Sequence, residues 1–501
     1  AGAGASSGMA MAHWEIQGWM ILILGWVFVP FYTRSMVYTM PEFLERRYNP
    51  QSRTILSVIS LVSYVLTKVA VTVYAGGLVF QQVFGIKELW GIDFFWIAAI
   101  GLVVLTALYT IFGGMKSVLY TSVLQTPILL LGSLIILVLG FKELGGWDEM
   151  MRVCGAVTVN DYGDTMTNLI RSNDDANFPW LGALIGSAII GFWYWCTDQF
   201  IVQRVLSGKN EMEARRGTIF GAYLKLLPVF LFLIPGMIAF ALHQKYIGAG
   251  GEGFLPMLAN GTANADAAFP TLVAKLLPAG VKGLVVCGIL AALMSSLASL
   301  FNSSAMLFTI DFYKRFRPET PEKKLVGIGQ VATVVIVILG ILWIPIMRSV
   351  GDVLYTYLQD VQSVLAPGIA AAFLLGICWK RTSAQGGMWG LIAGMVIGLT
   401  RLGAKVYYSN AGEVADSTFK YLFYDMNWLF FCGWMFLFCI IVVIVVSLAT
   451  KAPTAEKIQG LVFGTATKEQ KAATRASWNH WDIIHTVIIL AITGAFYWYF
   501  W

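Results

Sequence analysis

The chain has 501 residues, of which 58% are hydrophobic and only 12% charged, with a formal net charge of +6. A soluble domain carries about 25% charged residues and needs them on the outer faces of its helices, so this composition excludes a soluble globular protein and points to a lipid bilayer as the solvent. No basic run interleaved with aromatics offers a nucleic-acid groove, and four histidines with no HExxH, GxSxG, P-loop or dinucleotide fingerprint argue against a membrane enzyme.

A membrane-crossing helix needs about 20 mainly apolar residues. Runs of that kind predict an all-α, polytopic membrane protein with twelve spans, the first at roughly 12–33. Residues 1–11 (AGAGASSGMAM) have no basic n-region, hence no signal peptide, and read as the interior of something longer. Glu15, after Trp14, opens the first span at its outer end, where it is either an interfacial charge or a ligand. The second run, 54–84, carries Lys68 at depth. Runs 92–113 and 117–141 follow, then a Gly-, Asn- and Asp-rich connection over 142–177 with no separate domain expected.

Run 178–204 holds the aromatic cluster Trp193, Tyr194 and Trp195, and then Asp198 with Arg204 beyond it toward the cytoplasmic end, which together suggest an ion pair or gate. The aromatics are either ordinary helix packing or a surface on which a sugar ring stacks. Run 214–243 places Lys225 about eleven residues in, near mid-depth by the helix rise. Ionisable groups at that depth are costly and mark functional sites or structural pairs. Run 279–312 contains AALMSSLASLFNSS, with Ser295, Ser299 and Asn302 on one helix face. Such serines either bond back to their own carbonyls or offer hard oxygen to an alkali cation. Runs 325–348, 352–378, 385–406, 427–449 and 482–501 complete the set.

Lys and Arg accumulate in alternate connections, as in Arg46, Arg47 and Arg53, in Lys314, Arg315 and Arg317, and in Lys380 and Arg381. The positive-inside rule makes those connections cytoplasmic and puts 142–177 and 244–278 outside. Cys154, Cys196, Cys287, Cys378, Cys432 and Cys439 show no metal-ligand spacing and read as small buried hydrophobes.

The segments FWYWCTDQFIVQRVLSGKN (192–210), PTLVAKLLPAGVKGLVVCGILAALMSSLASLFNSSAMLFTIDFYKR (270–315) and PGIAAAFLLGICWKR (367–381) resemble the sodium:solute symporter family, and within it the sodium/glucose cotransporters; YTMPEFLERRY (38–48) and ALYTIFGG (107–114) agree. The resemblance implies the inverted five-helix-repeat (LeuT-like) transporter fold with additional flanking helices. It implies a first repeat over 1–141 with its first core helix truncated, an external loop over 142–177, a second repeat over 178–378 and additional C-terminal helices over 379–501. It implies a multi-pass protein of the plasma (inner) membrane whose partners are a sugar, sodium (Na+) and the lipid bilayer. For the sugar it implies Trp14, Glu15, Tyr194, Trp195, Lys225, Tyr355 and Gln359. For sodium it implies the carbonyl of Ala292 with Ser295 and Ser296. The substrate implied is a hexose such as glucose or galactose, with myo-inositol or another polyol as the alternative and a channel as a rival of another class. Departures from the family pattern are Gly191, where relatives place a polar residue near the sugar, and Ser122, where relatives have an aspartate. The sodium and sugar ligands of the first core helix are absent. With Ala298 at a hydroxyl position and only Ser299 remaining, one sodium per sugar is expected.

Overall fold

The computed structural model describes residues 1–35, 37, 39–258, 261–350, 354–410 and 415–501; within these, the side chains of 109, 111–119, 121, 122, 124, 347–350, 355 and 356 lie outside the described set. Tyr355, an expected sugar ligand, and Ser122, a departure from the family pattern, are among the side chains outside the described set.

Eleven helices among the described residues are long and apolar enough to cross a membrane, with a shorter apolar helix at Phe94–Leu108. In chain order the elements that matter here are α1 (Gly2–Ser35), α2 (Pro50–Phe84), α3 (Phe94–Leu144), α4 (Trp180–Thr197), α5 (Gln199–Leu206), α6 (Glu211–Gly248), α7 (Ala279–Phe316), α8 (Glu322–Val350), α9 (Leu354–Cys378), α10 (Ala384–Asn410), α11 (Trp428–Ala449) and α12 (His480–Tyr499). Among the described residues two short strands, Glu88–Leu89 and Ile92–Asp93, form a small hairpin before α3.

Of the twelve runs expected to span, eleven have a counterpart among these helices, and 92–113 corresponds to the shorter apolar helix Phe94–Leu108. The runs 92–113 and 117–141 fall within one continuous helix of 51 residues. At a rise of 1.5 Å per residue it is about 76 Å long, against a hydrocarbon core of about 30 Å. The expected connection, Gly114, Met115 and Lys116, contains no proline, so no residue there removes a backbone donor and stops the helix.

The bundle is assembled by close backbone approach. Helix α7 packs along α3, α9 packs on α10 and α11, and α6 lies against α1. A Cβ added to Gly18 of α1 would stand 2.9 Å from the Ala222 carbonyl oxygen of α6, so only a glycine lets these two backbones come so near. The connection after α3 packs against the first turns of α1 and against the end of α12. Met9 N donates to the Met166 carbonyl at 2.8 Å and Leu169 N donates to the Phe500 carbonyl at 3.1 Å. His13 Nε2 lies 3.0 Å from the Leu169 carbonyl. Four cysteines are buried as expected, whereas Cys287 and Cys378 are exposed on the outer surface of the bundle.

Candidate functional site

Three local departures from regular helix shape the site. The first is a corner in α1, where the turn Ala12–Glu15 ends and Gly18–Ile23 begins, with Ile16 and Gln17 leaving helical geometry. Glu15 sits at that corner. The second is in α4, which widens to a π-helical turn over Phe192–Thr197 and then breaks at Asp198, whose backbone is extended. Asp198 restarts the chain as α5 by accepting a hydrogen bond from Phe200 N at 3.1 Å. The third is in α6, where Pro228 follows Lys225 by three residues and a π-helical turn covers Val229–Leu233. Proline removes one helical donor, and wide turns of this kind collect at functional sites.

These departures bring Glu15 and Lys225 together. The Lys225 ammonium is 2.6 Å from Glu15 Oε2, and each side chain is only 16% exposed. The same ammonium lies 5.6 Å from the Trp195 ring centroid. Tyr194 stands edge-on to Trp195 at 5.0 Å. A cation, a carboxylate and two aromatic faces thus share one half-buried position beside the broken helix. The chemistry suits a polar solute with several hydroxyls: a carboxylate accepts, an ammonium donates, and the rings cover an apolar face.

Gln17 completes the cluster and was not anticipated. Its Nε2 donates to the Ser187 carbonyl at 2.8 Å, and its Oε1 accepts from Trp195 Nε1 at 3.3 Å. The room for this amide comes from Gly191, where an added Cβ would lie 2.7 Å from Gln17 Oε1. The signal was available as a polar residue two positions after Glu15, facing a glycine where a polar side chain was expected.

The remaining expected ligands are placed as follows. Gln359 on α9 is buried, and its Oε1 has no hydrogen-bond partner among the described residues. The Trp14 ring is stacked on Trp428 at 5.4 Å and packs edge-on to Phe178 at 6.0 Å, within the apolar core. On α7, Ser295 is buried, Ala292 is half-buried and Ser296 is exposed. Ser299 donates to the Ser295 carbonyl at 3.0 Å, and Ser303 to the Ser299 carbonyl at 2.8 Å. These two hydroxyls therefore bond back along their own helix.

One sequence expectation is corrected. Asp198 pairs with Lys68 of α2, not with Arg204. Arg204 lies six residues further on, about 240° round the helix from Asp198, and donates instead to the Ser299 hydroxyl. Among the described residues no group of three or more His, Cys, Asp or Glu could hold a metal ion.

A mid-membrane helix broken at a charged residue, beside a buried ion pair and in an all-helical bundle, is the architecture of a secondary transporter. The profile of the Sodium:solute symporter family matches residues 1–394, and the chain belongs to that family. It is 35% identical to a sodium/myo-inositol cotransporter 2 from Homo sapiens, over 93% of this chain and 70% of that protein. It is 36% identical to a sodium/mannose cotransporter from Bos taurus, over 96% and 83%, and 37% identical to a sodium/glucose cotransporter 1 from Ovis aries, over 90% and 70%. Among solved structures it resembles a substrate-bound, outward-open Na+-coupled sialic acid symporter, with a TM-score of 0.68, 21% identity, and coverage of 90% of this chain and 86% of that one.

Proposed function

We propose that this protein moves a hexose or a polyol across the plasma membrane together with sodium, by alternating access. The observation that carries the reading is the Glu15–Lys225 pair, 2.6 Å apart, poised over Trp195 next to the break in the α4–α5 helix. Glu15 and Lys225 would hydrogen-bond sugar hydroxyls, with Gln359 supplying a third polar contact and Tyr194 and Trp195 the stacking surface; Trp14 and Tyr355 complete the assignment. Sodium would be held on α7 by the Ala292 carbonyl and the hydroxyls of Ser295 and Ser296. The repeats would span 1–141 and 178–378, with 142–177 outside and 379–501 as added helices.

The relatives named above are cotransporters of myo-inositol, mannose and glucose at nearly equal identity, which supports a hexose or polyol without choosing between them. Glucose or galactose is the preferred substrate and myo-inositol the alternative. The deciding experiment is uptake of radiolabelled glucose into proteoliposomes under an inward sodium gradient, with choline replacing sodium as control and unlabelled galactose, mannose or myo-inositol as competitors. Saturable, sodium-dependent uptake supports symport, and the strongest competitor identifies the substrate. Uptake that ignores sodium, or ion conduction without saturation, overturns the reading in favour of a facilitator or a channel.

A further inference from the structure

Lys68 lies near the middle of α2, on the π-helical turn Tyr64–Val69. Its ammonium is paired with Asp198, the residue at which the α4–α5 helix breaks, and both side chains are almost fully buried. The other Asp198 oxygen accepts from the Tyr64 hydroxyl at 2.9 Å. Rings from both sides of the break surround the cation: Tyr194 at 5.1 Å from the α4 side, and Phe200 at 4.3 Å from α5. Neither charge can be left alone at this depth, since an ion with no partner in a dry interior costs far more than a broken surface pair. Lys68 therefore holds the two half-helices in one fixed relation.

The inner half-helix is tied in turn to α7. Arg204 donates to the Ser299 hydroxyl and Gln203 Nε2 to the Ser303 hydroxyl. Ser299 donates to the Ser295 carbonyl at 3.0 Å. A continuous polar path thus runs from the aromatic ring at Tyr194, through the Lys68–Asp198 pair and α5, to the turn of α7 that carries Ser295. The path ends at Tyr194, beside Trp195 of the solute surface, and at Ser295 of the sodium assignment, while Lys68, Asp198, Gln203 and Arg204 between them belong to neither set of assigned ligands.

We propose that Lys68 is a positioning residue that couples the two sites: the Lys68–Asp198 pair fixes α5 so that a cation bound at Ser295 and Ser296 alters the geometry of the aromatic floor under the solute. This deepens the symport reading and rests on it. Lys68 acts through Asp198 and the helix break, and touches neither ligand.

The test is thermodynamic linkage in the purified protein. Glucose affinity is measured with and without saturating sodium, and sodium affinity with and without saturating glucose. Reciprocal coupling between two sites is commonly about 5- to 150-fold, and a factor in that range is expected for the unmodified protein. In Lys68→Gln the factor should collapse toward one, while glucose affinity without sodium and sodium affinity without glucose stay near their starting values. The double variant Lys68→Gln with Asp198→Asn removes both charges and keeps a hydrogen bond across the gap, so it should regain most of the coupling. A merely structural role would weaken both separate affinities together. If Lys68→Gln keeps the full coupling factor, or the double variant is as uncoupled as the single one, the proposal is overturned. If the unmodified protein shows no sodium effect on glucose binding, the symport reading itself fails, and that outcome is distinct from the other two. Should Lys68→Gln not fold, Asp198→Asn, which breaks the same pair from the other side, takes its place, with the same collapse of the coupling factor expected and full coupling overturning the proposal.

Discussion

Removing Lys225 separates the role of the solute site from that of the sodium site. Its ammonium makes one ion pair, at 2.6 Å, with Glu15, and only 16% of either side chain is exposed. A hydrogen bond to a charged group is worth about 1.5–3 kcal/mol, which corresponds to roughly 10- to 150-fold in affinity. Breaking a fully buried pair costs about 3–5 kcal/mol in stability, and the residual exposure of this pair lowers that figure. Lys225→Ala should therefore fold, with somewhat reduced thermal stability, and should raise the half-saturating sugar concentration by roughly 10- to 150-fold. Half-saturating sodium, measured at saturating sugar, should move within about twofold, the scatter expected for positions with no shared partner. The assay is initial-rate uptake across a grid of sugar and sodium concentrations in proteoliposomes. Equal shifts in both half-saturations, or none in either, would refute the placement of the solute beside Lys225.

Ser296→Ala should behave in the opposite way, raising half-saturating sodium while leaving sugar affinity at saturating sodium unchanged; because Ser296 is exposed, its effect on stability should stay within about 0.5 kcal/mol, and thermal unfolding checks that second point. Gly191→Ala should push the Gln17 amide away, since the new Cβ would fall 2.7 Å from Gln17 Oε1; losing the Trp195 bond of about 0.5–1.5 kcal/mol should weaken sugar binding roughly 2- to 10-fold, and a sugar titration of tryptophan fluorescence would show no change if the amide were irrelevant. One sodium should move per sugar, because the Ser299 hydroxyl is engaged by the Arg204 guanidinium and Ala298 offers none. The reversal potential should then shift equally for tenfold changes in sodium or sugar, and a sodium response twice as steep would mean two ions.

Much of the membrane architecture was legible because apolar length is a one-dimensional property. The intramembrane charges were legible for a related reason: Glu15 and Lys225 stand out against apolar neighbours whatever their partners are. Partner choice was not legible. Asp198 and Arg204 are close in sequence, but a helix turns them to different sides, and the true partner of Asp198 comes from α2, 130 residues away. Gln17 was missed because its significance depends on the empty space at Gly191, and a glycine gives no sign in the sequence of what fills its vacancy. The fusion of two runs into α3 was missed because a short polar gap reads as a loop, although nothing in Gly114–Lys116 forbids helix. The serines of α7 divide in a way only three dimensions could decide: Ser299 and Ser303 bond back along the helix, while Ser296 is left exposed.

The buried charges also constrain which helices can part company. Glu15 of α1 is held by Lys225 of α6, and Asp360 of α9 by Lys405 of α10. Each pair joins two different helices, and pulling either apart would leave an ion in a poorly solvated place at a cost of several kcal/mol. Rearrangements that keep α1 with α6, and α9 with α10, avoid that cost. Gln359 is the neighbour of Asp360 on α9, so it travels with the second unit, whereas Glu15 and Lys225 travel with the first. Under the proposed alternating access, a solute held between them would span the seam between the two units. On the proposed reading, the Oε1 of Gln359, buried and without a partner among the described residues, would be an acceptor whose desolvation is offset when a sugar hydroxyl arrives from the other side of that seam.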